Sequence, residues 1–385
     1  MEEIVTYPTL YAADADGSVR IWYVERSGNK IRNVSGLIDG KHTTSGWKTI
    51  TGKNIGKSNE TTDIQQAESD IVSLYAKQRK KSGYWDNIED AGTKRYVEPM
   101  LAQKIADYPI TDTSETWYAQ PKLDGFRCVA NGSIGTSKHG DPFATVGHIT
   151  QKLAELMREE ILMFDGELYN HRYKDDFNKI ASLISKKKPS AAHLNAVFDL
   201  IQYHIYDFVP APGFEHLTYE QRQVILAETL PTDDLIIIPV RTVKLHSHDL
   251  SILIDMIEED RKEVVELGYE GQMLRRGRSL YQQGIRTTDL RKNKIFIDEE
   301  FVTIDIIEGV GTAAGKAKSA IFENAQGERF KAGIRGSDEV TAEYLRNKHL
   351  YIGGEATVRY FNLTPGKLVP RHGKVVHFYQ GKRNI

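Results

Sequence analysis

The chain has 385 residues, room for two or three domains with their own cores, which excludes a short-peptide or disulfide-scaffold protein. Its 51 Lys and Arg against 53 Asp and Glu leave a formal charge of -2, so contact with nucleic acid must come from local clusters of basic residues. The single cysteine, Cys128, cannot make an intramolecular disulfide or a cysteine-rich zinc site, which suits a reducing cytosolic compartment, a cell's own or a host's. The N-terminus MEEIVTYPTL is acidic and mixed, and no run approaches about 18 apolar residues, so neither a signal peptide nor a membrane span is expected.

From about Thr6 to Lys57 short apolar or β-branched runs (Val19 to Val24, Lys48 to Thr51) alternate with punctuation such as Asp16-Gly17 and Gly28-Asn29. That pattern predicts a small antiparallel sheet of hairpins with Trp22 and Trp47 in its core. The period then changes. Thr61 or Thr62 can cap a helix on which Ile64, Ala67, Ile71, Leu74 and Tyr75 share one face, ending near Lys80-Lys81-Ser82-Gly83. Tyr84 to Pro99 has no sustained period and reads as a linker.

A larger region follows. Strands are predicted at Thr116 to Ala119, Phe126 to Ala130, Ile161 to Phe164, Ala196 to Tyr206, Leu235 to Val243 and Gly271 to Arg275. Helices are predicted at Asp176 to Lys187, Thr218 to Thr229 and Asp249 to Leu267, the last stopped by Gly268. Such alternation predicts a mixed sheet core covered by helices. After Phe296 come short Gly-punctuated strands (Phe301 to Ile307, Ala320 to Glu323, Glu355 to Phe361, Val375 to Tyr379) and one helix near Glu339 to Asn347. That composition suits a small barrel of the OB type. The fold class is therefore α+β and multidomain.

The sharpest chemical signal is Lys122-Leu123-Asp124-Gly125-Phe126-Arg127. A lysine amine attacks phosphorus only when neutral, so its usual value of about 10.4 must be brought down, which cationic neighbours and a metal can do. The Asp-Gly turn would reverse the chain just after the nucleophile, and Arg127 on the next strand would offer a planar fork to phosphate. An ordinary hairpin with a surface salt bridge is the bland alternative.

On these residues, from about Glu98 to the C-terminus, the sequence resembles the covalent nucleotidyltransferases and within them the ATP-dependent DNA ligases, in a compact form like that of viral and phage ligases. The resemblance implies that Lys122 takes AMP from ATP as a phosphoramide and that Gln120 contacts adenine. Further segments follow in the family's order. Phe164-Asp165-Gly166-Glu167-Leu168 implies Glu167 as a ribose or metal-water partner. Tyr203-His204-Ile205-Tyr206-Asp207 implies Tyr206 stacked on adenine. In Glu270-Gly271-Gln272-Met273-Leu274-Arg275, Glu270 is implied as a ligand of the divalent ion, Mg2+ or Mn2+. Glu167 and Glu270 together suit Mg2+, which takes one or two carboxylates and keeps several waters. In Lys292-Asn293-Lys294 alternate strand residues share a face, so both amines can point at the α-phosphate and at Lys122.

Some positions depart from the family pattern. Ser137-Lys138-His139-Gly140 has Lys138 where an arginine is usual, leaving a point charge for a nick phosphate; Arg127 is the other expected DNA contact. The terminal basic motif that orients pyrophosphate has three candidates, Arg371, Lys382 and Arg383. Lys186-Lys187-Lys188-Pro189 could touch the DNA backbone or simply end a helix. Residues 1 to about 85 distantly resemble small WGR-like modules and are expected to help hold duplex DNA.

The implied organisation is an N-terminal β-rich domain over 1–85, a linker over 86–98, an adenylation domain over 99–297 and an OB-fold domain over 298–385. The implied enzyme is a monomer that seals nicked duplex DNA without a membrane partner. An RNA ligase, a GTP-using capping-type enzyme and a nonenzymatic OB-fold binder are the rival readings. A zinc-finger-bearing NAD-dependent ligase does not fit one cysteine.

Overall fold

The computed structural model describes residues 3–94, 96–294, 296–364 and 366–383. The chain divides into two compact units, residues 1–96 and 97–385.

In the first unit, strands β1 (Ile4–Thr6), β2 (Leu10–Ala13), β3 (Val19–Ser27), β4 (Lys30–Leu37), β5 (Thr43–Thr44) and β6 (Lys48–Thr49) form one antiparallel sheet. Helix α1 (Asp63–Lys81) starts at a capping box: the Gln65 amide donates to the Thr62 hydroxyl and the Thr62 amide to the Gln65 side chain. It buries Ala67, Ile71 and Tyr75 against Leu10, Trp22, Val24 and Ile31, with Trp22 edge-on to Tyr75 at 5.0 Å. Two expectations fail here. Ile64 faces solvent at 51% exposure at the start of the helix, beside the exposed Asp63, which accepts from the Gly52 amide and Asn29. Trp47 is 38% exposed: it precedes a two-residue edge strand, and the Arg32 guanidinium lies 4.4 Å from its ring. After α1 the chain pairs again with β2 through Tyr11 and Trp85 and makes a short 3-10 turn at Ile88–Asp90.

The second unit holds two five-stranded sheets and a barrel. One sheet contains β7 (Leu101–Lys104) and β8 (Trp117–Pro121); the other contains β9 (Phe126–Ala130), β10 (Gly135–Ser137), β11 (Ile161–Tyr169), β12 (Gln202–Pro210) and β13 (Ile237–Pro239). The first sheet is completed by β14 (Val243–Leu245), β15 (Gly271–Arg276) and β16 (Arg286–Lys294), in the order β14-β8-β15-β16-β7. The second runs β10-β9-β11-β12-β13. Helices α2 (Gly147–Leu156), α3 (Phe177–Ile184), α4 (Ala191–Leu200) and α5 (Tyr219–Thr229) supply Ile149, Leu153, Ile180, Ile184, Val197 and Leu226 to the core of the second sheet. Helix α6 (Leu250–Glu266), capped by Asp249, packs Leu253 and Ile257 on Trp117, Ala119 and Leu274 of the first.

The predicted strand from Ala196 is half helix. Ser190 caps α4 by accepting from the His193 amide, and the helix runs through Leu200 before β12 begins; a continuous apolar run does not reveal its period. The predicted Leu235 to Val243 strand is two strands in different sheets, split by Val240-Arg241-Thr242, and Leu235 is 83% exposed. The predicted helix at Asp176 ends at Ile184, and Lys186, Lys187 and Lys188 lie exposed in the following loop.

Strands β17 (Ile297–Glu308), β18 (Ala317–Glu323), β19 (Arg329–Gly333), β20 (Glu355–Tyr360) and β21 (Lys374–Phe378) close a barrel in the order β17-β18-β19-β21-β20. Phe301, Phe322, Phe330, Val358 and Phe378 fill it, and helix α7 (Asp338–Arg346), between β19 and β20, adds Tyr344 and Leu345. This is the expected OB-type barrel, in an α+β chain. Among the described residues no helix is long and apolar enough to cross a membrane. Cys128 is a free thiol buried in β9.

Candidate active site

Lys122 lies where the chain leaves one sheet for the other. Strands β8 and β9 flank it and belong to different sheets, so the expected hairpin reversal at Asp124-Gly125 is instead a crossing. Gly125 is needed there for closeness: a Cβ would stand 2.4 Å from the Leu168 carbonyl oxygen and 3.0 Å from the Glu167 side chain. The β8–β15 ladder continues past Pro121, with the Lys122 amide donating to the Gly271 carbonyl at 2.8 Å and the Glu270 amide to the Lys122 carbonyl at 3.0 Å. Gly271 stands opposite Lys294 on β16. Its φ is +141°, and a Cβ there would stand 2.4 Å from the Asn293 carbonyl oxygen, so only glycine fits.

This framework places the Glu270 carboxylate between two amines. Lys122 Nζ and Lys294 Nζ each donate to one of its oxygens, and Glu270 is only 7% exposed. Burial opposes its ionisation, but the two ammonium groups outweigh burial and hold the carboxyl below its usual value. Lys292 shares the strand face of Lys294 two residues away; burial first, then Lys294, Arg286 and Lys122, push its amine down from the usual lysine value.

Glu167 lies within β11, which runs on past the predicted end at Phe164, and stands opposite Arg127 on β9 and His204 on β12. Burial raises its carboxyl to about 7; Lys122 and Arg127 counter that, and the charge of Glu270 adds to it. The Tyr206 hydroxyl donates to the Gly166 carbonyl at 3.2 Å and lies 3.5 Å from a Glu167 oxygen.

Arg127 differs from its expected role. Its Nε and Nη2 are held by Asp165 at 2.9 and 2.6 Å, so the fork meant for a phosphate is filled by a buried carboxylate. Gln120 is likewise committed: its Nε2 donates to the Tyr206 carbonyl at 3.2 Å and to Thr242 at 2.9 Å, and its Oε1 accepts from Arg275. Lys138 is exposed in the turn after β10, and no described contact joins it to the Lys122 cluster.

Three supporting residues escape a reading of the sequence alone. Asp207 accepts from Arg222 at 2.7 and 3.0 Å and from Arg275 at 2.9 Å, with all three side chains buried. Arg275 lies 5.1 Å from the Tyr206 ring centre, so this charged network backs the aromatic. Asp207 and Arg275 are the last residues of the Tyr203 and Glu270 segments, which is the signal that could have found them; Arg222, on α5, has none. Of the three terminal basic candidates, Arg371 reaches the site: its guanidinium pairs with Asp124, two residues from Lys122, and stacks 4.3 Å over Phe177. Arg383 pairs with Glu300 on the barrel.

Residues 99–294 match the family model described as the ATP dependent DNA ligase domain. A DNA ligase of African swine fever virus is 26% identical over 352 residues, covering 85% of this chain and 78% of the viral protein. A solved structure from a study of Lig E DNA ligases superposes with a TM-score of 0.59 at 21% identity, over 74% of this chain and all of that one. The solved structure Pmar-Lig_Pre gives 0.62 at 19%, over 84% and 78%. At those identities the two structures speak for the fold alone. With half of its length matched by the family model, across the segment that carries Lys122, Glu167, Glu270 and Lys294, the chain belongs to the ATP-dependent DNA ligases.

Proposed function

We propose that this ATP-dependent DNA ligase seals nicks in duplex DNA through AMP carried on Lys122. The observation that carries the assignment is the Lys122–Glu270–Lys294 cluster, locked by backbone pairing on both sides of the nucleophile. The amine has to leave its ion pair with Glu270 before it can attack. Its Nζ then forms a bond to the α-phosphorus of ATP, the bond to the bridging oxygen of the β-phosphate breaks, and pyrophosphate leaves. Lys292 and Lys294 hold the charge that builds on the α-phosphate oxygens. Tyr206 offers the ring for adenine, with Gln120 and Arg275 holding it in place. The 5′-phosphate of the nick takes AMP from Lys122, and the adjacent 3′-hydroxyl displaces AMP to close the strand. Each step is a phosphoryl-type transfer, governed by positioning and charge.

Glu167 and Glu270 converge on Lys122 closely enough to influence each other's ionisation, and among the described residues no group of three or more His, Cys, Asp or Glu forms a metal cage. That donor set fits Mg2+ or Mn2+ held by one or two carboxylates together with substrate phosphates. A divalent ion there would supply charge neutralisation at the α-phosphate. One copy of the chain carries the complete set of side chains, in keeping with a monomer. Domain limits of 99–297 and 298–385 fall within one residue of the start of the strand that opens the barrel, Ile297.

Incubation with α-labelled ATP or GTP should label the wild type from ATP alone and leave Lys122→Ala unlabelled. Sealing should follow on nicked duplex DNA and not on nicked RNA. Label from GTP, or label that persists in the variant, refutes the assignment.

A further inference from the structure

The first unit lies outside the matched ligase segment, yet it carries a cleft of about 470 Å³ between β4, the β5–β6 turn and α1. Val24, Ile31 and Leu74 form its floor, and Arg32, Lys48 and Lys77 stand on its rim. Arg32 is fixed there from two sides, by Glu25 at 2.6 Å and by the Trp47 ring at 4.4 Å. Lys48 and Lys77 are exposed, and among the described residues neither is paired with a carboxylate. The one acid in the lining, Asp70, is already taken by Gln66 at 2.7 Å and Lys53 at 3.6 Å. A chain with a formal charge of -2 thus sets two exposed lysines around one cleft beside Arg32, a guanidinium fixed by its Glu25 partner and by aromatic packing.

We propose that this cleft is a docking surface for the phosphodiester backbone of duplex DNA beside the nick. Phosphate oxygens are the acceptors that match such a rim, and contacts to them hold a duplex without reading its sequence, as suits an enzyme for which any nick is a substrate. The proposal rests on the ligase reading and adds a second DNA contact to it.

The test is fluorescence anisotropy of a labelled nicked duplex over a salt series, for the wild type and for the double variant Lys48→Glu with Lys77→Glu. Binding should weaken at every salt concentration. Loss of two phosphate contacts should flatten the slope of log affinity against log salt by about 1.8. AMP uptake from ATP without DNA should stay at the wild-type level. The pair Lys48→Gln with Lys77→Gln should move binding the same way by less, which separates charge from damage to the fold. Unchanged affinity and slope in variants of an enzyme that still takes AMP and seals nicks overturn the docking surface and leave the ligase reading standing. A parallel loss of AMP uptake in the variants also overturns it. A wild type that takes no AMP overturns the ligase reading, and the docking proposal with it.

Discussion

Replacing Asp207 by Asn removes the negative charge that holds two buried guanidinium groups. Asp207 accepts four hydrogen bonds, three of them charged, from Arg222 Nε and Nη2 and from Arg275 Nη1, and one from the Phe208 amide; Asp207 and Arg222 are fully buried and Arg275 is only 3% exposed. After the change Arg222 keeps the carbonyls of Leu217 and Ser279, and Arg275 keeps Gln120. Neither keeps a counter-charge among these partners. Breaking a buried pair from one side costs about 3 to 5 kcal/mol, a large share of the roughly 5 to 15 kcal/mol that holds a domain folded. For a unit of this size the melting temperature should fall by roughly 5 to 10 °C. Urea unfolding at constant slope would read the loss as a shift of midpoint. Because Arg275 backs Tyr206, KM for ATP should rise while label, once formed, still maps to Lys122. A loss under about 1 kcal/mol with an unchanged KM would refute the view that this network supports the nucleotide site.

Glu167 should titrate near pH 7. Between its ordinary value of 4.5 and about 7 the folded carboxyl keeps a proton that the unfolded chain has lost, so stability should fall as pH rises through that window, by about 3 kcal/mol in all. Glu167→Gln should flatten that stretch of the pH–stability curve; an unaltered slope would show that Glu167 is not its source. Gly271→Ala forces a Cβ toward the Asn293 carbonyl at a positive φ and should cost about 1 to 3 kcal/mol while separating Glu270 from Lys294; wild-type stability and labelling would contradict the strain. Arg371→Ala, which removes the partner of Asp124, should slow AMP uptake from ATP by at least about tenfold and spare sealing of DNA that already carries AMP; equal losses in both assays would contradict a role confined to the first step.

Local chemistry is legible in the sequence wherever a signal and its partner lie within a turn of each other. Thr62 caps α1 and Gly268 ends α6 as expected, and Thr218 with Gln221 and Asp249 cap the two helices predicted to start there. Lys122, Glu270 and Lys294 are legible as chemical types at separate sites, and the sheet order brings them into contact. What escapes depends on partners far apart in the chain. Asp165 fills the Arg127 fork from 38 residues away, and Arg275 reaches Gln120 across 155. No periodicity encodes such pairs. Trp47 and Ala196 to Leu200 depart from expectation for a different reason: apolar character does not say whether an edge leaves a ring uncovered, or whether a short run coils or extends.

The most direct test is the intact mass of the protein after ATP and Mg2+, followed by mapping of the modified peptide. The mass should rise by a single AMP, and the adduct should sit on the peptide containing Lys122, lost on acid treatment as a phosphoramide would be. An unmodified protein, or AMP attached to any other residue, would contradict the account.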